Sequence, residues 1–396
     1  MHDDLRAFLP DDGFAGTLVG RAWLPATLTG SEPGPSPVWI REDGVFDLSP
    51  IAATTSELFA NGTAWRQNGT ASLSRVGSFE ELMAATVAQP RDDDAPRLLA
   101  PVDLQPIKAC GVTFMVSALE RVIEERAGGD SSRAEAVRTQ IKERIGAEVS
   151  SVVPGSPEAE QVKQVLQQEG LWSQYLEVGI GPYAEVFTKA QALSAVGTGD
   201  DVGILEISSW NNPEPEVVLI VDPAAEIVGA TLGNDVNLRD IEGRSALLLG
   251  KAKDNNGSAA IGPFVRLFDE TFTLDDVRRA EVSLEITGDD GFTLREVSPM
   301  SSISRDVTEL VAQTIHASHQ YPDGIALFTG TLFAPTADRD KEGQGFTHHL
   351  GDLVRISSPK FGTLQNRVQH CHTIPPWRFG LTALMHNLAR RGLLPT

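Results

Sequence analysis

The sequence predicts a β-rich α+β fold, a barrel or rolled sheet interrupted by a helical lid and preceded by a small N-terminal domain. Three observations predict it. From residue 185 onward, short Val/Ile/Leu/Phe-rich segments are punctuated by Gly, Asn and Asp, with one good helix from about Arg305 to His316. Between GVTF and LEVGIGPYAEVF, apolar residues recur at helical spacing from Ser117 to Gln140, and Ser156-Pro157-Glu158 supplies the N-cap, N1 proline and first-turn acid of a second helix toward Gln168. Upstream, LVGRAW and PVWIRED read as strands separated by the turn-rich GSEPGPSP, with a helix from Ser78 to Gln89. The linker-like RDDDAPRLLAPVDLQP then divides a mainly β domain, residues 1–103, from a catalytic domain, residues 104–396, whose lid spans about residues 115–170.

Composition narrows the partners. The 396 residues carry a net charge of -21 and no basic block, which excludes a nucleic-acid or anionic-membrane surface as the main partner. No apolar run reaches membrane-spanning length, and the start MHDDLRAF lacks the basic-then-apolar order of a signal peptide, so a cytoplasmic protein is expected. Cys110 and Cys371 make neither a disulfide framework nor a CxxC site and are expected as buried free thiols. No internal repeat is evident.

The chemistry centres on Glu214-Pro215-Glu216 and Gly233-Asn234-Asp235. Side chains alternate along a strand, so Glu214 and Glu216 face the same way, while Pro215 marks a strand end or edge. The run Val217 to Ile220 continues inward, Val221-Asp222-Pro223 breaks it, and a returning strand from Ile227 to Leu232 delivers Asp235 to the pair. Three carboxylates on a hairpin are suited to a hard divalent cation. Arg239-Asp240, Glu242 and Gly250-Lys251-Ala252-Lys253-Asp254 follow closely, and local cations among these acids suit an anionic, metal-chelating 2-oxo acid.

These blocks, with EVFTKAQALSAVGTGDDV, EPEVVLIV, GNDVNLRD, LLLGKAKDNNGSAAIGPFV, LFTGT and LGDLVRI in order, resemble the fumarylacetoacetate hydrolase family over most of residues 107 to 370. Within it, the chain is most similar to the 2-keto-3-deoxy-pentonate dehydratases of xylonate and arabonate type, in its extra N-terminal module, its WNNPEPE wording and its long tail after TGT. The resemblance implies a mixed β-roll, a homodimer or homotetramer, and Mg2+, with Mn2+ as the alternative, held by Glu214, Glu216 and Asp235. It also implies Lys251 as the active-site lysine and Thr113, Ser117, Lys189, Arg239 and Thr331 as substrate-binding residues.

The sequence departs from the family pattern in three places. Ser117 replaces the lid histidine, while Glu120 keeps the acid position one turn later; Glu242 stands where glutamine is frequent; and the hairpin between Glu216 and Asp235 is short. A histidine-glutamate dyad activates water for C–C hydrolysis, so its absence favours dehydration. The expected reaction is therefore dehydration of a 2-keto-3-deoxy-pentonate to 2-oxoglutarate semialdehyde, with Lys251 as base or electrostatic stabiliser, Glu120 as acid for the leaving hydroxyl, and Glu242 as the competing proton carrier. An acylpyruvate C–C hydrolase, or another 2-oxo acid tautomerase or decarboxylase of the family, is the alternative, and a non-catalytic sugar-acid binding protein is the third reading. His348-His349 and His370-x-His372 are expected to be structural or interfacial, since neighbours on a strand face opposite ways and no acidic companion is evident.

Overall fold

In the computed structural model of the chain, residues 5–92, 94–144, 152–331, 333, 335 and 337–394 are described. Five strands form the N-terminal module: β1 (Thr17–Leu24), β2 (Gly34–Arg41), β3 (Gly44–Asp47), β4 (Arg75–Gly77) and β5 (Arg97–Leu99). Its longest helix, Phe79–Val87, begins at a capping box in which Ser78 and Glu81 satisfy each other's backbone N–H groups; Ala26–Thr29 and Thr55–Ala60 are shorter helices the sequence did not suggest. The remaining strands are β6 (Ile107–Gly111), β7 (Glu185–Ala190), β8 (Asp201–Ile204), β9 (Asn211–Asn212), β10 (Pro215–Val221), β11 (Ile227–Asp235), β12 (Asn237–Leu238) and β13 (Ala259–Leu267), then β14 (Glu281–Thr287), β15 (Thr293–Pro299), β16 (Ile325–Phe328), β17 (Leu353–Ser358) and β18 (Gly362–His370).

Two large sheets enclose the main core. The first runs β4-β3-β2-β1-β13-β11-β10-β16-β6-β7, with β5 on β1, and the second runs β15-β14-β17-β18-β8. Both are mixed, because β16–β6 and β18–β8 are parallel pairs. The boundary near residue 103 is not a break between sheets. β1 pairs antiparallel with β13, Leu18 opposite Arg266, so the N-terminal module extends the sheet of the roll. Nearly every residue of β1 is buried, and such a strand needs cover on both faces and a partner on each side. Accordingly Val19 and Trp39 share one apolar cluster with Val218, Ile220 and Phe328 of the roll.

The expected hairpin β10–β11 forms, with Glu216 opposite Gly233, and the Asp235 N–H donates to the Glu214 carbonyl at 3.0 Å. β10 is flanked on both sides, so Pro215 is tolerated because it opens the strand. The single apolar-periodic stretch of the lid proves to be two helices, Met115–Ala127 and Ser131–Arg144. They part at Gly128 and Gly129, with φ of 67° and 74°, values in the left-handed region that glycine adopts without strain. A third lid helix, Pro157–Gln168, starts where expected, the Ser156 hydroxyl accepting from the Ala159 N–H. Among the described residues, no helix is long and apolar enough to cross a membrane.

Candidate active site

Glu214, Glu216 and Asp235 converge at the end of the β10–β11 hairpin. One carboxylate oxygen from each lies within 4.8 Å of the others, and all three side chains are buried. Like charges this close in a dry site oppose one another. Burial, then crowding by Asp235 and Glu214, pushes the Glu216 carboxyl well above the usual range, although the Gly330 N–H donates to it at 2.6 Å. Burial also opposes the charge of Glu214, but Arg121 and Lys253 overcome it and hold this carboxyl down to about 2. The set fits a hard divalent cation: it offers oxygen donors only, and Glu216 lacks a cationic partner among the described residues.

The lysine at this triad is Lys253, not Lys251. Lys253 ion-pairs with Glu214 and lies 3.2 Å from Asp235, whereas Lys251 is exposed. Both belong to the short helix Leu249–Lys253, where positions two apart point to roughly opposite sides. Burial disfavours the Lys253 ammonium, but Asp235, Glu214 and Glu242 outweigh it and raise its pKa. Lys189 Nζ reaches Asp235 Oδ1 at 2.8 Å and donates to the Val236 carbonyl at 3.2 Å. It ties Asp235 to the following backbone and is absent from the cavity wall.

A cavity of about 20 Å3 lies against the triad, room for a single water. Its wall includes Ser117, Thr331, Glu242, Lys253, Arg121 and Glu185. Three further expected residues do not line it. Thr113 donates its hydroxyl to the Thr329 carbonyl at 2.6 Å and ties two loops together. Arg239 donates from Nε to Glu124 at 2.6 Å and lies over the Trp210 ring at 4.9 Å, locking the lid rather than facing the cavity. Glu120 accepts two bonds from Arg138, both at 2.9 Å, with Arg239 3.8 Å away, so the expected proton donor is clamped between guanidinium groups. Ser117 lines the cavity with its hydroxyl donated to the Phe114 carbonyl at 2.8 Å.

Besides Lys253, two charged cavity residues escaped the sequence reading. Glu185 and Phe187, two residues apart on β7, both line the cavity, so strand alternation in the EVFTKA segment could have found Glu185. Its carboxylate leans over Gly111, where an added Cβ would meet Oε2 at 1.9 Å, and burial raises its pKa. Arg121 follows Ser117 by one turn of the lid helix. It ion-pairs with Glu124 at 2.6 Å, with Glu242 at 3.0 Å and with Glu214. Burial, against the pull of Arg121 and Lys253, lifts the Glu242 carboxyl to about 7.

Charges of alternating sign thus run from the lid into the site. Arg138 holds Glu120, Arg239 holds Glu124, and Arg121 joins Glu124 to Glu214, which continues through Lys253 to Asp235. A larger cleft, about 1060 Å3, is elsewhere, between the N-terminal module and the roll. In it Arg41 pairs with Asp43 and Arg66 with Asp269, and none of the triad carboxylates lines it. His348 Nδ1 lies 3.1 Å from Asp352, and His370 stacks on His372; neither belongs to the acidic cluster.

With this architecture and acidic hairpin, residues 184–369 match the family model described as fumarylacetoacetate (FAA) hydrolase C-terminal. Among curated relatives, the chain is 32% identical over 203 residues to a probable 2-keto-3-deoxyxylonate dehydratase of Haloferax volcanii, covering 51% of this chain and 66% of that protein. It is 30% identical over 180 residues to the 2-dehydro-3-deoxy-D-arabinonate dehydratase of Saccharolobus solfataricus, covering 46% and 57% respectively. The matches therefore span less than two thirds of either relative. A solved 2-keto-3-deoxy-D-arabinonate dehydratase, complexed with magnesium and 2,5-dioxopentanoate, shares the fold at a TM-score of 0.61 and 20% identity, over 89% of this chain and 99% of that one.

Proposed function

We propose that this protein is a divalent-cation-dependent hydro-lyase that dehydrates a 2-keto-3-deoxy-pentonate to 2-oxoglutarate semialdehyde. The observation that carries the reading is the buried carboxylate triad sharing one cavity with a cationic lysine and two further carboxyl groups of raised pKa. The names of the two curated relatives support the substrate class. Mg2+ or Mn2+ held by Glu214, Glu216 and Asp235 would bind a 2-oxo acid and supply positive charge against the negative charge that develops on its 2-oxo oxygen.

The chain's own groups account for the proton transfers. Lys253, kept cationic by the surrounding acids, acts as an electrostatic stabiliser rather than a base. Glu242, titrating near neutrality, takes a proton from C3. Glu185 gives its proton to the departing C4 hydroxyl, so that water leaves and a C3–C4 double bond forms. The resulting Glu185 carboxylate removes a proton from C5, and Glu242 returns its proton to C3. The C5 enol then becomes the aldehyde by moving its hydroxyl proton to C4, and both glutamates end as they began. The Ser117 hydroxyl, engaged with its own helix, does not replace the lid histidine as a base, which supports elimination over hydrolysis. A homo-oligomer is part of the same reading, supported by exposed Leu381 and Met385 one turn apart on the C-terminal helix.

The test is incubation with both C4 epimers of the 2-keto-3-deoxy acid, in Mg2+ or in EDTA, with semialdehyde detected by a coupled dehydrogenase. Metal-dependent product from at least one epimer is expected. Turnover of an acylpyruvate and of neither epimer would overturn the reading.

A further inference from the structure

We infer that Arg121, carried on the lid, is the specificity-determining residue that binds the carboxylate of the substrate. The inference rests on the 2-oxo acid reading and goes beyond it by assigning a recognition role to a residue outside the family-like motif positions. Glu185, Glu214, Glu216, Asp235 and Glu242 line the cavity, against only two cations among the described residues, Arg121 and Lys253. An anionic substrate entering among five carboxylates requires a cation able to meet it. Lys253 is committed, since its ammonium bridges Glu214 and Asp235. Arg121 is differently held.

Its Nη1 is gripped at 2.6 Å by Glu124, one turn along the same helix, and at 3.0 Å by Glu242. Neither grip belongs to the acidic triad. Glu124 is itself fixed from the other side by Arg239, at 2.6 Å, so the guanidinium plane has support that does not depend on Glu214. Only Nη2 is turned to the triad, where it meets Glu214. A planar fork with one nitrogen anchored and the other directed at the site is the geometry that recognises a carboxylate, a task a point-charge ammonium performs less selectively.

The size of the cavity makes the lid part of the recognition. About 20 Å3 cannot hold a five-carbon acid, so Met115–Ala127 must withdraw to admit one and must return Arg121 to it on closing. Arg239 thereby acts through Glu124 and the lid, as a positioning residue, while Arg121 makes the contact.

The experiment compares pyruvate with methyl pyruvate, an uncharged ester of the same 2-oxo frame, as ligands of the full chain in Mg2+ by calorimetry. Mn2+ affinity without either ligand is measured in parallel. The wild type should prefer pyruvate, and Arg121→Gln should lower that preference by about 30-fold, the loss of one charge-assisted hydrogen bond. Mn2+ binding should be unchanged or tighter. Arg121→Lys should retain part of the preference, and it decides the matter if the glutamine variant does not fold. Full wild-type preference in either variant overturns the proposal, as does equal binding of the two ligands by the wild type. Failure of the wild type to bind Mn2+ strikes instead at the metal-site reading on which the proposal stands.

Discussion

Lys251 and Lys253 stand two residues apart on one short helix, and only Lys253 brings its ammonium to the acids. Lys253→Met should lower kcat by about 100-fold or more, as loss of one preorganised electrostatic donor does, whereas Lys251→Met should leave it within about twofold. Steady-state rates of the two variants test this directly. Glu242 links the site to pH. Its folded-state carboxyl is raised from 4.5 to about 7, so the native state binds more protons than the unfolded chain between those values. The stability it contributes is complete below pH 4.5 and is lost as pH rises to about 7. Denaturant unfolding in EDTA should show the wild type losing on the order of 3 kcal/mol relative to Glu242→Gln across this window. The acids were legible in the sequence because strand alternation fixes their side. The cations were not, because a glycine-lysine wording cannot say which of two lysines a helical turn directs inward, and a lid arginine looks like any exposed helical charge.

The lid is an element hung on glycine and closed by charge. Gly129 has φ +74°, and an added Cβ would lie 2.5 Å from the Asp240 carbonyl oxygen, on the turn that carries Arg239 and Glu242. Gly129→Ala should therefore destabilise the protein by about 1–3 kcal/mol. It should also speed hydrogen exchange in Met115–Ala127 more than in β10 and β11, which an exchange experiment resolved by segment would show. The lid helices were legible in part. Their apolar period was visible, but the break at Gly128-Gly129 was read through, although a Gly-Gly pair is itself a turn signal. The strands of the hairpin were clearer, since Pro215 and Asp222-Pro223 mark the ends of a continuous apolar run.

For the whole molecule, a net charge of -21 sets a repulsive field for an anionic substrate. Raising ionic strength from about 0.01 to about 0.1 M shortens the screening length from about 30 to about 10 Å, so kcat/KM should rise with salt; a fall would show that local cations dominate the approach. Composition made this legible. The joining of the two halves was not, because a linker rich in proline and acids says that the chain crosses from one unit to another, not whether their sheets merge. β1 lies along β13, and β13 lies along β11, the strand that ends at Asp235. Without the first hundred or so residues, β13 would present a bare row of N–H and C=O groups, the condition that invites chain-to-chain pairing. The N-terminal segment is thus no detachable cassette: a gene that gained it had to gain the flank it covers, and a gene that shed it would have to build another shield for that strand.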